Sequence, residues 1–174
     1  LIFTGTAPII GLRIAWLDIH WISGLILTFL IVAHIIRSMF WQDFKSMLLT
    51  PKDFTEPFDS TSKPGKYYFE QKGLHWAATV VVLAVIVTGV LMFMQIDSPF
   101  WDRTNSMPED QLGLVFLLHG LSTLALVALA STHIYFALRP EKIFYTRSMI
   151  AGWMSEDELA ANHDPAKWTP KEAE

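Results

Sequence analysis

The sequence predicts an all-α integral membrane protein, a four-helix bundle with three complete transmembrane helices visible and the first helix largely missing from the chain. Three observations predict it. Hydrophobic residues make up 52% of the 174 positions and charged ones only 17%, with the charges confined to blocks between long apolar runs. Three of those runs, Leu17 to Phe40, Leu74 to Ile96 and Leu112 to Leu138, are each long enough to cross a hydrocarbon core of about 30 Å. Finally, two of the runs carry histidines at one repeated spacing: 14 residues separate His20 from His34, and 14 separate His119 from His133.

The N-terminal segment Leu1-Ile2-Phe3-Thr4-Gly5 is apolar from its first residue and shows no charged leader. It is expected to be the end of an additional helix. The first visible span, Leu17 to Phe40, has His34 as its only ionisable residue between Ile22 and Ile36. A soluble helix would alternate apolar and polar faces, whereas this one is apolar all round. The next connection, Trp41 to Gly73, carries Lys45, Lys52, Lys63, Lys66 and Lys72, with Arg37 just before it. The second span opens with His75-Trp76 and contains Thr88-Gly89, echoing Thr4-Gly5. The connection from Asp97 to Gln111 has only Arg103 among four acids. Positive-inside bias puts the first of these connections in the cytoplasm, and the segment after Leu138, basic through Arg139, Lys142 and Arg147, falls on the same side. Trp16, Trp21, Trp41, Trp76 and Trp101 lie at expected helix ends, where an amphipathic ring suits the headgroup region. Residues 1–147 thus read as the transmembrane domain and residues 148–174 as a cytoplasmic tail, in which His163 is expected to be exposed.

The histidines carry the chemistry. A step of 14 residues advances a helix by about 21 Å and returns the side chain to within about 40° of its starting direction. Each helix therefore presents two imidazoles on one face at two depths. Moreover, Ile19-His20-Trp21-Ile22-Ser23 with Ala33-His34-Ile35 matches Leu118-His119-Gly120-Leu121-Ser122 with Thr132-His133-Ile134, so the two helices share one design. An imidazole in lipid is costly without partners, and such residues are by default functional. No Asp, Glu or Cys shares these faces to complete a zinc or copper shell. Two axial imidazoles are what a b-type haem requires, because the porphyrin supplies the other four nitrogens. The absence of Cys excludes disulfides, thiolate-bound clusters and thioether haem attachment within these residues.

Spans one and three run in the same direction, so His20 faces His119 at one depth and His34 faces His133 at the other: two b haems, one near each membrane face. Arg37 and Arg139, one to two turns beyond the inner histidines, are placed to meet haem propionates or to anchor the helix ends at the interface. Gly24, Gly120, Ala33 and Ala130 allow either close approach of a flat macrocycle or ordinary helix packing.

At this level of detail the chain resembles a family. The histidine-led helix, the loop with Gly65-Lys66-Tyr67 and Gln71-Lys72, the Thr88-Gly89 helix, Leu117-Leu118-His119 with Thr132-His133-Ile134-Tyr135, and the tail with Ser148-Met149-Ile150-Ala151-Gly152-Trp153 and His163-Asp164-Pro165 are similar to the di-haem cytochrome b (gamma) subunit of respiratory formate dehydrogenase. Cytochrome b subunits of nickel–iron hydrogenases and thiosulfate reductases resemble it more broadly. The resemblance implies that His20 and His119 hold the periplasmic-side haem, and that His133 holds the cytoplasmic-side haem with a histidine of the first helix. His34 is then either the true partner of His133 or a neighbour of quinone or propionate, and His75 is a further candidate more suited to an interfacial role. The family binds menaquinone, and other quinones such as ubiquinone suit the same chemistry. The matching loop positions here are Tyr68, Glu70 and Gln71, near His133, where Tyr68 and Glu70 depart from the usual small or amide residues. The same resemblance implies an iron–sulfur (beta) subunit, a molybdenum or tungsten catalytic (alpha) subunit, a bacterial cytoplasmic membrane and assembly into a higher oligomer. Nothing in these residues oxidises a substrate, and nothing in them points to nucleic acid. Two other classes fit the same pattern: a stand-alone b561-like transmembrane reductase, and a structural anchor without haem.

Overall fold

The computed structural model describes residues 16–41, 44–58, 63–164 and 166–167. Thr4-Gly5 and the rest of the N-terminal segment expected to belong to a first helix lie outside them. The described residues are helical and contain no strand. Three long helices, α1 (Trp16–Trp41), α2 (Phe69–Phe93) and α3 (Glu109–Leu138), are each long and apolar enough to cross a membrane. Two short helices follow, α4 (Ile143–Ala151) and α5 (Glu156–Asn162).

Helix α1 matches its apolar run to within one residue, whereas α2 and α3 begin earlier than theirs. At α2 the polar turn Phe69-Glu70-Gln71-Lys72-Gly73 is already helical, because the Gln71 side-chain oxygen accepts the Tyr68 backbone N–H at 2.9 Å. That reciprocal contact from the third helical position satisfies a donor that the helix itself leaves unpaired. At α3, Glu109 and Asp110 occupy the first turn, where the helix dipole favours negative charge. Leu112 N–H already donates to the Pro108 carbonyl at 2.9 Å. Helix α2 stops short of Ile96 because Thr104 caps its end, both its backbone N–H and its hydroxyl donating to the Met94 carbonyl at 3.2 and 2.9 Å. An apolar run marks the lipid-facing length, while the hydrogen-bonding ends decide where the helix begins and stops.

Apolar side chains cover the outside of the long helices. Phe29, Leu30, Leu124 and Val127 are exposed, and of the described hydrophobic residues Phe93 and Val115 are buried. This inversion is expected where lipid, as apolar as leucine, is the solvent. Five hydroxyls within the spans donate to their own helix: Thr28 to the Gly24 carbonyl, Thr79 to His75, Thr123 to His119, Ser131 to Val127 and Thr132 to Ala128, all at 2.8–2.9 Å. The chain is an integral membrane protein.

The chain divides into two compact units. The first combines Val82–Thr123 with the described part of Leu1–Gln42. Its aromatic end is built on Phe93, which stacks on Trp21 at 5.1 Å between ring centres and meets Trp101 at 4.7 Å. Trp21 also donates its indole N–H to Asp18 at 3.0 Å.

The second unit combines the described parts of Asp43–Val81 and Leu124–Glu174. Here Lys72 and Asp53 form a buried ion pair at 2.7 Å. Burial works against the Asp53 charge, but Lys72 and two hydrogen bonds from Thr50, at 2.5 and 2.9 Å, outweigh it and hold the carboxyl below the usual range. Lysines in this connection therefore do not all serve as solvated or lipid-facing charges. Trp76 donates its indole N–H to the Met47 carbonyl at 2.9 Å, tying the same connection to the first turns of α2.

The tail is held against this connection. Helix α5 starts in a capping box in which Ser155 and Glu158 each accept the other's backbone N–H. Beyond its end, Asp164 N–H donates to the Pro64 carbonyl at 2.8 Å, and Lys63 donates to the Ala160 carbonyl at 2.6 Å.

Candidate functional site: a histidine pair between two membrane helices

His20 stands one turn into α1, and His119 lies on the third turn of α3. Their ring centres are 6.1 Å apart and their planes are nearly perpendicular, at 82°. The pairing expected from the spacing of the histidines is thus present as a contact. Helix α2 supplies the third side of the site. The Thr88 hydroxyl lies 2.9 Å from His119 Nδ1, and it also donates to the Ala84 carbonyl at 2.6 Å, one turn back along α2. Thr88 is only 7% exposed, the deepest polar residue in this unit. Next to it, a Cβ built on Gly89 would come within 3.3 Å of His119 Cε1, a tight contact that would ask the imidazole to shift by a few tenths of an ångström. A Cβ at Gly24 or Gly120 would meet nothing within 4 Å, leaving open space on the histidine-bearing helices.

The donor set suits a haem iron. A metal–imidazole bond is about 2.0 Å, and the ligating nitrogen is about 1.1 Å from its ring centre, so two imidazoles on opposite sides of one iron stand about 6.2 Å apart. The observed separation agrees with this. Among the described residues no group of three or more His, Cys, Asp or Glu could hold a bare metal ion, which leaves the pair short of the ligands that zinc or copper requires.

The other expected residues are placed as follows. His34 on α1 and His133 on α3 are exposed side chains, each on its own helix, and Arg37 is exposed near the end of α1. Arg139 pairs with Glu141 and lies over the Phe136 ring at 5.9 Å, so its guanidinium is engaged locally at the end of α3. Glu70 is exposed on the first turn of α2. Gln71 spends its side-chain oxygen on the α2 cap, and the Tyr68 hydroxyl donates to the Asn162 carbonyl at 2.7 Å. His75 packs against Trp76 at 5.8 Å, near the start of α2.

His163 is a correction to the sequence reading. Expected to be exposed in the tail, it is 1% exposed, the most buried large side chain described. Its Nδ1 lies 2.6 Å from the Gly65 carbonyl and its Nε2 lies 2.8 Å from the Tyr145 hydroxyl. A carbonyl only accepts, so Nδ1 carries the proton and Nε2 accepts from Tyr145. Burial pushes the His163 imidazole below its ordinary value, with Lys142 acting in the same direction against the Gly65 bond. Burial likewise pushes the Tyr145 and Tyr68 hydroxyls up. Lys142 lies 4.5 Å above the Tyr68 ring. Sequence reasoning missed this cluster because its members are nearly a hundred positions apart. The available signal was the Ser155-x-x-Glu158 capping box, which announces an ordered tail.

Comparison with known proteins agrees with the geometry. The curated relatives include the cytochrome b556(fdo) subunit of formate dehydrogenase from Escherichia coli (strain K12), 30% identical over 116 residues, which are 63% of this chain and 51% of the relative. The formate dehydrogenase cytochrome b556 subunit of Haemophilus influenzae is 31% identical over 108 residues, 62% of this chain and 41% of the relative. The chain spans about half the length or less of these relatives. No solved structure matches it. The family model described as prokaryotic cytochrome b561 matches residues 1–152, nearly the whole described region. The chain, with three apolar helices long enough to cross a membrane, belongs to the prokaryotic cytochrome b561 family, for which b-type haem is the implied cofactor.

Proposed function

We propose that this chain is the membrane cytochrome b subunit of a formate dehydrogenase complex, receiving electrons from a periplasmic iron–sulfur subunit and delivering them to quinone near the cytoplasmic side. The observation that carries the proposal is the His20–His119 pair at iron-ligand spacing; the formate dehydrogenase subunits among the relatives support the choice of complex. A b-type haem, when bound, supplies a one-electron couple whose potential the protein sets.

His20 and His119 hold the outer haem through one imidazole nitrogen each. His133 holds the inner haem, opposite either His34 or a histidine of the first helix. Arg37 faces the propionates from the end of α1, and Arg139 does so once it exchanges Glu141 for a propionate. In this reading two b haems lie at two depths, and the 14-residue repeat supports that number. At the inner side Tyr68, Glu70, Gln71 and His133 form the quinone site, accepting either menaquinone or ubiquinone. Of the loop residues Glu70 has the clearest role, because it is exposed while Tyr68 and Gln71 are engaged in structural hydrogen bonds. A carboxylate there can pass protons from the cytoplasm to reduced quinone. The lysine-rich connection between α1 and α2 and the basic residues after α3 support a cytoplasmic location for both in a bacterial inner membrane. Formate oxidation belongs to a molybdenum or tungsten catalytic subunit.

The experiment is gentle purification of the full-length protein with its partners, followed by the haem-to-chain ratio from the pyridine haemochrome and formate-dependent quinone reduction. Two haems with a co-purifying iron–sulfur subunit and formate-dependent activity support the reading. Haem without any iron–sulfur subunit selects the stand-alone b561-type reductase, which the family match also accommodates. Retention of a nickel–iron enzyme or a thiosulfate reductase moves the chain to those complexes, and a haem-free protein leaves only an anchor. A His34→Ala variant that keeps two haems assigns the inner ligand to the first helix, and one that drops to a single haem assigns it to His34.

A further inference from the structure

We propose that Thr88 is a positioning residue for His119: its hydroxyl accepts the Nδ1 proton of the imidazole, presents Nε2 as the iron ligand and strengthens that ligand as an electron donor. The inference rests on the reading of His20 and His119 as haem ligands and adds to it a residue on a third helix.

The argument begins with the protons. A threonine hydroxyl has one proton and two lone pairs. Thr88 Oγ1 lies 2.6 Å from the Ala84 carbonyl and 3.2 Å from the Val85 carbonyl, and both can only accept, so the hydroxyl proton is committed to its own helix. Towards His119 Nδ1, at 2.9 Å, the hydroxyl therefore has only lone pairs to offer, and Nδ1 must be the donor. A neutral imidazole protonated on Nδ1 has its free lone pair on Nε2. One turn of α2 thereby fixes the tautomer.

Gly89 fixes the ring position. A Cβ there would lie 3.3 Å from His119 Cε1 and 3.8 Å from Nδ1, so the imidazole rests against the backbone of α2. Thr88 holds one edge of the ring by a hydrogen bond, and Gly89 leaves room for the ring to reach it. Thr88 is nearly buried, which shields its side of the bond from solvent. Hydrogen bonding at the remote nitrogen raises the basicity of a metal-bound imidazole, and loss of such a partner commonly costs about 10–100-fold in metal affinity. A more basic ligand favours oxidised iron, so Thr88 lowers the potential of the outer centre. A lower potential makes release of an electron from the outer centre more favourable than it would be without the bond.

The test is a redox titration, haem quantitation and low-temperature EPR on the full-length protein in its complex, comparing wild type, Thr88→Ser, Thr88→Val, Thr88→Ala and His119→Ala. Thr88→Ser keeps the hydroxyl and should reproduce the wild-type potential and g values. Thr88→Val, nearly the same shape without an acceptor, should lose about tenfold in relative affinity for oxidised haem, a rise of about 59 mV in the outer potential, together with shifted g values. Should Thr88→Val fail to accumulate, the smaller Thr88→Ala carries the same expectation. A Thr88→Val or Thr88→Ala protein with unchanged potential and g values overturns the proposal, as does a Thr88→Ser protein shifted as far as the valine variant. If His119→Ala retains the outer haem, or the wild type has none, the ligand reading itself falls and this proposal with it. If His119→Ala loses that haem while the Thr88 variants match wild type, only the role of Thr88 falls.

Discussion

The rings of His20 and His119 meet edge to face, 6.1 Å apart between centres with their planes at 82°, although 99 positions separate them in the chain. Two imidazoles drawn together only by packing would gain little in lipid, where burial of their polar nitrogens is a cost. Their separation equals that of two imidazoles bonded to one metal ion, and the ligand proposal predicts a loss of haem when either is removed. Replacing either His20 or His119 with alanine should lower the haem-to-chain ratio by one, while the protein still inserts in the membrane. The pyridine haemochrome assay measures this, and an unchanged ratio in both variants would remove them as ligands.

A second prediction concerns Asp53 and Lys72. Lys72→Met leaves the Asp53 carboxylate buried without its cation and should cost about 3–5 kcal/mol of stability. The double variant Asp53→Asn with Lys72→Met should recover much of the loss, because no unpaired charge remains. Chemical unfolding in detergent, followed by tryptophan fluorescence, reads both. Equal destabilisation in the single and double variants would show that the pair matters for shape rather than charge.

The tail should respond to pH through His163. Its folded-state value lies below the ordinary 6.5, so the unfolded or released tail binds the proton more readily than the docked one. Docking is therefore fully favoured above about 6.5 and weakens as the pH falls from there through the folded value. The groups facing the ring are the Tyr145 hydroxyl, the Tyr68 ring and the Lys142 ammonium. Once corrected for its intrinsic pH dependence, hydrogen exchange across residues 156–164 should quicken between pH 7 and pH 5 in the wild type. In His163→Phe, which cannot titrate, exchange corrected for its intrinsic pH dependence should stay level.

Phe93 joins Trp21 and Trp101, so Phe93→Ala removes two aromatic pairs worth about 0.5–1.5 kcal/mol each. The expected loss is about 1–3 kcal/mol, smaller than for a water-soluble core because lipid already solvates apolar surface. Thermal unfolding in detergent checks it, and a loss under 0.5 kcal/mol would mean that the cluster is held by its neighbours alone.

Much of this protein was legible before any coordinates. The three spans follow from apolar runs that match the bilayer, and α1 agrees with its run to within one residue. The His20–His119 pairing follows from helical periodicity and alternating direction of passage, both properties of the chain itself. The early starts of α2 and α3 were not legible in the apolar pattern, because a helix begins where its first N–H groups find acceptors, and Gln71 supplies one at α2 from outside the apolar run.

Sequence alone determined that the chain lies in a membrane, that its spans are helices, and that two of them carry matched histidines, because bilayer thickness and the 3.6-residue turn act on each segment by itself. Only the tertiary structure decided which polar atoms meet. That Thr88 accepts from His119, that Lys72 is buried against Asp53, and that His163 closes on Gly65 and Tyr145 depend on contacts between residues 18 to 98 positions apart. The physical reason is that periodicity orders side chains along one helix, whereas a hydrogen bond between segments requires two backbones to approach within about 3 Å at one particular register.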